Sequence, residues 1–241
     1  MLTSGPSEKA RKYIESQTNL KELNKKGREL FLGPCVTISR ETGAGADKVS
    51  ESLIEFLQPY LEQDVEWAVF DKNLIEKVLQ DHHLPQHLSK LMAEEKYSAV
   101  KSIMNEVLGG EPGIWSLVHK TTETILQLAQ MGNVIILDRG ANVIASKLEN
   151  SFHVRLVAPI EERISHIQEL YNLDKKEAVD LIKKEDMDRK NYVMTYFHKD
   201  ISDPLQYHIV LNTGLISDNE AAQIIGSSLM KKMPQFFEKV N

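Results

Sequence analysis

Short apolar runs alternate with longer stretches of helical spacing along most of this chain. The runs are Cys35–Ser39, Val65–Phe70, Asn133–Leu137, Phe152–Ala158 and Tyr207–Leu211. Each is nearly continuous in apolar residues rather than alternating, which suits strands covered on both faces. Strand-length runs separated by helical patterns predict βαβ units and a parallel sheet. Lys48–Leu61 carries Val49, Leu53, Phe56 and Leu57 at the spacing of one helix face. Asp174-x-x-Glu177 and Ser217-x-x-Glu220 have the form of capping boxes, and Pro159 suits the first turn of the segment after Ala158. A long helical stretch, 73–130, is punctuated by Pro85 and by Gly109-Gly110-Glu111-Pro112-Gly113. It predicts a helical insertion reaching over the carboxyl edge of the sheet, where open α/β sheets place their ligands. Residues 7–28 are polar, with sparse apolar positions such as Tyr13, Ile14, Leu20 and Leu23, and predict one or two surface helices. There is no internal repeat and no low-complexity tract.

Composition narrows the picture without redirecting it. The chain has 241 residues, 41% hydrophobic and 27% charged, as an ordinary folded domain does. Its 29 Lys and Arg against 35 Asp and Glu give a net charge of −6, which argues against a general polyanion-binding surface and so against nucleic acid as a partner. A local arginine cluster can still hold a phosphate. The single cysteine, Cys35, excludes an intramolecular disulfide and a cysteine-based zinc site. In the run Pro34-Cys35-Val36-Thr37-Ile38 it reads as a buried structural thiol. No apolar signal-like segment opens the chain and no stretch is long enough to span a bilayer, so the expectation is a soluble cytoplasmic protein without a membrane partner.

The first strand leads into the candidate chemistry. Val36-Thr37-Ile38-Ser39 continues as Arg40-Glu41-Thr42-Gly43-Ala44-Gly45-Ala46-Asp47 and then a helix. Strand, glycine-bearing loop and helix N-terminus together form an anion cradle of backbone N–H groups and helix dipole. Glycine also serves many strand-to-helix turns that bind nothing. A Walker A loop, G-x-x-x-x-G-K-[ST], would place its lysine on the β/γ-phosphates and its hydroxyl on Mg²⁺. With Gly45 at the last glycine, Arg40 stands at the first, Ala46 at the lysine and Asp47 at the hydroxyl position. Lys48 comes two places after the lysine position, about 200° further round a helix. Asp47 reads either as a carboxylate favoured in a helix first turn or as a ligand for a metal ion that offsets the missing lysine.

Two later stretches are more specific. Gly132-Asn133-Val134-Ile135-Ile136-Leu137-Asp138-Arg139-Gly140-Ala141-Asn142 is a strand ending in a charged, glycine-bearing turn. It is followed by Phe152–Ala158 and Pro159-Ile160-Glu161-Glu162-Arg163. Then come Glu185-Asp186-Met187-Asp188-Arg189-Lys190-Asn191-Tyr192, Asp203-Pro204 and Tyr207–Thr213. In order and spacing these blocks, over residues 34–225, resemble the cytidylate kinase-like family. That is a divergent branch of the P-loop nucleoside monophosphate kinases whose members tend to lack the Walker lysine and open with Ser-Arg-Glu, as Ser39-Arg40-Glu41 does. The family's loop usually continues with Gly and Arg where this chain has Ala46 and Asp47.

The resemblance implies a P-loop NTPase-type α/β fold: a five-stranded parallel sheet flanked by helices, with the helical insertion and a lid at about 174–200. The chain then divides into an N-terminal helical extension, 1–30, and a kinase-like domain, 31–241. It further implies transfer of the γ-phosphoryl of ATP, with Mg²⁺, to a small phosphate-bearing acceptor such as the pyrimidine nucleotide CMP. Arg40, Gly43, Ala44, Gly45, Ala46, Asp47 and Lys48 would border the nucleotide. Arg139 would hold the acceptor phosphate and Asp71 would border its pocket. Arg163 and Arg189 would be catalytic phosphate or lid arginines, and Asp47 and Asp138 would be metal ligands.

Each assignment has a plainer counterpart. Arg163 follows Glu161-Glu162, and Arg189 lies three and four residues after Asp186 and Glu185, a spacing that makes helical ion pairs. Asp138 can pair with Arg139 instead of a metal. Asp81-His82-His83 with His87 resembles a metal set, but Pro85 breaks the helical spacing between the histidines. Trp115 and the aromatics of Tyr192–Phe197 read as helix packing rather than base stacking. The rival to an enzyme is a nucleotide- or phosphate-binding regulatory protein that kept the cradle, lost catalysis, and offers its N-terminal helices to a protein partner.

Overall fold

The computed structural model describes residues 8, 12, 13, 16, 33–61, 65–73, 75 and 116–237. Most of the expected N-terminal helices, most of the insertion with Pro85 and Gly109–Gly113, the Asp81–His87 histidines and Trp115 lie outside them.

All five expected strands are present: β1 (Cys35–Arg40), β2 (Ala68–Phe70), β3 (Val134–Leu137), β4 (Ser151–Val157) and β5 (Ile209–Asn212). They form one parallel sheet in the order β2-β3-β1-β4-β5. Ala68 pairs with Val134 in β2–β3, and Val154 with Ile209 in β4–β5. β3 is buried at every position, as its uninterrupted apolar run requires, and β5, at the sheet's edge, is only partly covered. The helices with defined bounds among the described residues are α1 (Ala46–Leu57), α2 (Ser116–Met131), α3 (Ala141–Ile144), α4 (Ile160–Tyr171), α5 (Lys175–Phe197) and α6 (Asp218–Lys232). α1 begins two residues earlier than its apolar face suggests, because Gly45 adopts a left-handed conformation and releases the chain directly into the helix.

The chain falls into two compact units. The first comprises Met1–Val36, Glu62–Ile136 and Ile144–Ser151. Here Tyr13 is fully buried, sets its ring edge-on against Phe70 at 5.6 Å and donates its hydroxyl to the Gly132 carbonyl at 2.5 Å. So one apolar position of the polar N-terminal stretch is a core residue. Asn150 ties the unit together by donating to the Gly33 and Ala129 carbonyls. Burial pushes the Cys35 thiol up to about 12, against the opposing effect of a Ser151 hydrogen bond. A thiol that stays protonated at neutral pH is no nucleophile.

The second unit comprises Thr37–Leu61, Leu137–Val143 and Phe152–Asn241. α1 buries Ala46, Val49, Ser50, Leu53 and Leu57 along one stripe, and α6 buries Ala221, Ala222, Ile225, Gly226 and Leu229. These helices pack closely: a Cβ on Gly226 would lie 2.4 Å from the Phe56 ring, so only glycine fits there. α4 and α5 share a small apolar core of Ile164, Ile167, Ala178 and Ile182. Both capping boxes form, with Glu177 and Glu220 each returning a side-chain contact to the N-cap residue. Pro159 takes the N-cap of α4, one residue before its first turn.

Candidate functional site

β1 lies at the centre of the sheet, with β3 and β4 as neighbours. The segments leaving the carboxyl ends of these three strands therefore emerge side by side, at the place where the strand order turns back. All three segments belong to the second unit.

The segment after β1 is the glycine-bearing loop. Gly43 and Gly45 have φ of +88° and +73°, in the left-handed region that glycine occupies without strain. Gly43 is required twice over, because a Cβ there would also lie 2.7 Å from the backbone oxygen of Arg163. The Thr213 hydroxyl donates to the Ala44 carbonyl at 3.1 Å, and the Glu41 N–H donates to the Leu156 carbonyl at 3.0 Å. The loop is thus pinned from β4 and from beyond β5. No side chain caps the N-terminus of α1, which leaves its first N–H groups and its dipole for an anion.

The segment after β3 is unusual. Asp138, Arg139 and Gly140 take φ of +63°, +55° and +70° in succession. Two consecutive non-glycine residues held left-handed carry a conformational cost of order 1–3 kcal/mol each. The Ala141 N–H closes the turn on the Asp138 carbonyl at 3.0 Å, and Gly140 leaves room for the Phe197 ring of α5. The strained turn aims Asp138 and Arg139 in different directions. Arg139 stacks over the Tyr192 ring of α5 at 5.1 Å, and Asp138 meets the guanidinium groups of Arg40 and Arg189.

Three guanidinium groups from three elements gather around the loop. Arg40, at the end of β1, reaches Asp47 at 3.2 Å and Asp138 at 3.4 Å. Arg163, from the second half-turn of α4, is buried and lies 2.8 Å from Asp186 and 3.3 Å from Glu41. Arg189, on α5, donates through Nε to Asp138 at 2.9 Å, through Nη1 to the Thr42 hydroxyl at 2.6 Å and through Nη2 to Glu185 at 2.9 Å. Burial alone would lower the Arg189 pKa, but the charges and hydrogen bonds of Asp138 and Glu185 outweigh it and leave the pKa raised. Burial raises the Tyr192 phenol too, partly offset by the charge of Arg139. Asp186 links the loop to α5: its Oδ1 accepts from the Thr42 N–H at 2.8 Å and from the Thr42 hydroxyl at 2.7 Å.

Arg40, Arg163, Arg189, Asp47 and Asp138 thus join in one network around Gly43–Ala46. The ion pairs expected of Arg189 with Glu185 and Asp186 are present, at 2.9 Å and 3.6 Å. Arg163 pairs with Glu41 and Asp186, both distant from it in sequence. Lys48 is exposed on α1 and takes no part in the network. Asp47 and Asp138 both hold Arg40, so a guanidinium sits between the two candidate metal ligands. Among the described residues no group of three or more His, Cys, Asp or Glu is placed to hold a metal ion. Asp138 Oδ1 and Arg163 Nε are nevertheless buried without a hydrogen-bond partner among the described residues. One is a spare acceptor for a cation or a hydroxyl, the other a spare donor for an anion. These donors have the chemistry to hold phosphate oxygens, and Asp138 Oδ1 is a carboxylate oxygen without a hydrogen bond to a described residue. Asp71 follows β2 in the first unit, where its carbonyl accepts from the Ile75 N–H at 3.0 Å.

Glu41 and Thr42 also complete the network, and in the sequence neither shows a role beyond its place in the loop; Glu185 and Asp186 are legible there only as helical partners of Arg189.

A family model described as the cytidylate kinase-like family matches residues 35–215. Among solved structures, an uncharacterized protein from Eubacterium ventriosum is 20% identical, with a TM-score of 0.64, covering 82% of this chain and 98% of its own. It shares the fold. A shikimate kinase from Bacteroides thetaiotaomicron, 12% identical over 83% of this chain and 98% of its own, superposes more loosely, with a TM-score of 0.42. No curated protein matches the chain.

Proposed function

Since the chain belongs to the cytidylate kinase-like family, we propose that it is a phosphotransferase moving the γ-phosphoryl of a nucleoside triphosphate to a small phosphate-bearing acceptor. The observation that carries this reading is the convergence of Arg40, Arg163 and Arg189 on a glycine loop that lacks the Walker lysine. Phosphoryl transfer asks a protein mainly to position the reactants and neutralise charge on the transferred group. Backbone N–H groups of Gly43–Asp47 would cradle the triphosphate, and Arg40, held between Asp47 and Asp138, supplies the charge that Ala46 cannot. Arg163 and Arg189 would turn from their carboxylates to the phosphoryl oxygens, to which planar guanidinium groups are well matched. Asp138 would hold Mg²⁺, which would neutralise charge on the triphosphate. Arg139, stacked over Tyr192 at a strand's carboxyl end, would hold the acceptor phosphate. A pyrimidine monophosphate such as CMP is the acceptor the family suggests, and the cytoplasm the expected setting.

The test is a steady-state assay with ATP, Mg²⁺ and a panel of nucleoside monophosphates. Arg139→Ala is expected to raise the acceptor KM at least tenfold with the fold intact by circular dichroism. Unchanged acceptor kinetics would remove Arg139 from the site. A second reading has its own support: each of the three guanidinium groups already has a carboxylate partner. A regulatory protein built this way would bind a nucleotide and turn over no acceptor in the same assay.

A further inference from the structure

The Thr42 N–H belongs to the phosphate loop, and it is directed at a carboxylate of the chain itself. Asp186 Oδ1 accepts from that N–H at 2.8 Å and from the Thr42 hydroxyl at 2.7 Å, while Oδ2 accepts from Arg163 at 2.8 Å. The Arg189 guanidinium lies 3.6 Å from Oδ1. A backbone amide of a glycine loop, a hydroxyl and two guanidinium groups are the partners that a phosphoryl oxygen seeks. Asp186 reaches them from α5, 144 residues along the chain. Its neighbour Glu185 accepts from the outer Nη2 of Arg189 at 2.9 Å and is half-exposed.

We propose that Asp186 is an internal stand-in for the ligand's phosphate, and that the outermost phosphoryl group of the bound nucleotide displaces it from Thr42 and Arg163. The inference rests on the phosphotransferase reading for the identity of the ligand. It follows from the contacts because one N–H cannot give full hydrogen bonds to a carboxylate and a phosphoryl oxygen together, and two anions in contact repel. Asp186 therefore selects for charge. A polyphosphate carries enough negative charge to win the shared donors, whereas a singly charged anion competes at a disadvantage with a carboxylate already in place. The same displacement releases the Arg163 Nη1 that Asp186 holds, and leaves Arg189 joined to the Thr42 hydroxyl and to Asp138.

Calorimetric titration with sodium tripolyphosphate, and separately with MgATP, tests this on the full chain and on three variants. Asp186→Asn and Asp186→Ser remove the competing charge while leaving an acceptor for Thr42. Glu185→Gln removes the same charge one residue away without touching the loop. The expected result is tripolyphosphate binding at least tenfold tighter in either Asp186 variant and less than threefold tighter in Glu185→Gln. Equal or weaker binding in the folded Asp186 variants overturns the proposal, as does an equal gain in Glu185→Gln, which would make the effect one of general charge. If the unaltered chain binds MgATP and the Asp186 variants bind no tighter, the inference fails and the phosphotransferase reading stands. If no form binds either ligand, both fail.

Discussion

Arg189 shows how one side chain can be structural and functional at once. It satisfies Asp138, Glu185 and Thr42 together, and its position on α5 makes it available to a ligand at the loop. Removing one partner of a buried ion pair strands the other, at a cost of about 3–5 kcal/mol when both are fully enclosed. Arg40 still reaches Asp138, so Arg189→Ala is expected to cost about 2 kcal/mol in urea unfolding and to abolish nucleotide binding. Loss of binding with no loss of stability would show that the ion pairs contribute nothing to the fold. His153 is a different kind of residue, deep in the sheet and away from the loop. Its Nδ1 lies 2.8 Å from the Thr37 hydroxyl, and burial, followed by the charges of His208 and Lys232, pushes it down from 6.5 to about 4. The folded protein keeps this ring neutral while the unfolded chain protonates it near 6.5. Stability is therefore complete above pH 6.5 and falls by about 3 kcal/mol as the pH drops towards 4. Unfolding midpoints between pH 7.5 and 4.5 measure this, and His153→Gln should flatten the slope. An unchanged slope would assign the acid sensitivity to other groups.

At the scale of elements, local signals decided more than composition. Asp174-x-x-Glu177 and Ser217-x-x-Glu220 form reciprocal capping boxes because the geometry needs only residues three apart. Asp174→Ala is expected to cost about 1 kcal/mol and to loosen the start of the helix that carries Asp186 and Arg189, as read by hydrogen exchange over 175–180. The strands were legible for a similar reason: strands buried on both faces announce themselves as unbroken apolar runs. Their ends were less so. The β2 run starts at Val65 and its strand only at Ala68, because hydropathy does not show where pairing with β3 begins. The glycine loop was legible as a strand-to-helix turn, and Gly43 meets its backbone demand. Gly43→Ala meets both a φ of +88° and an oxygen 2.7 Å away, and it should weaken ATP binding at least tenfold. Wild-type affinity would mean that the loop does not shape the site. Partners distant in sequence were not legible. Nothing in Thr42 or Asp186 alone reveals a contact across 144 residues, and the left-handed pair Asp138-Arg139 follows from tertiary constraint rather than residue preference.

At the scale of the whole molecule, the parallel sheet, its central first strand and the match over residues 35–215 agree on a cytidylate kinase-like protein. The loop departs from a Walker A sequence, with Ala46 at the lysine position and Arg40 held between Asp47 and Asp138. On the proposed reading, three arginines replace one lysine and the site still takes a nucleotide. Calorimetric titration of the protein with ATP, with and without Mg²⁺, tests it most directly, with CMP as the comparison ligand. The expected result is saturable ATP binding that strengthens with Mg²⁺ and is lost in Arg40→Ala. No ATP binding under either condition, with CMP or another small anion still bound, would contradict it and leave a phosphate-binding regulatory protein in its place.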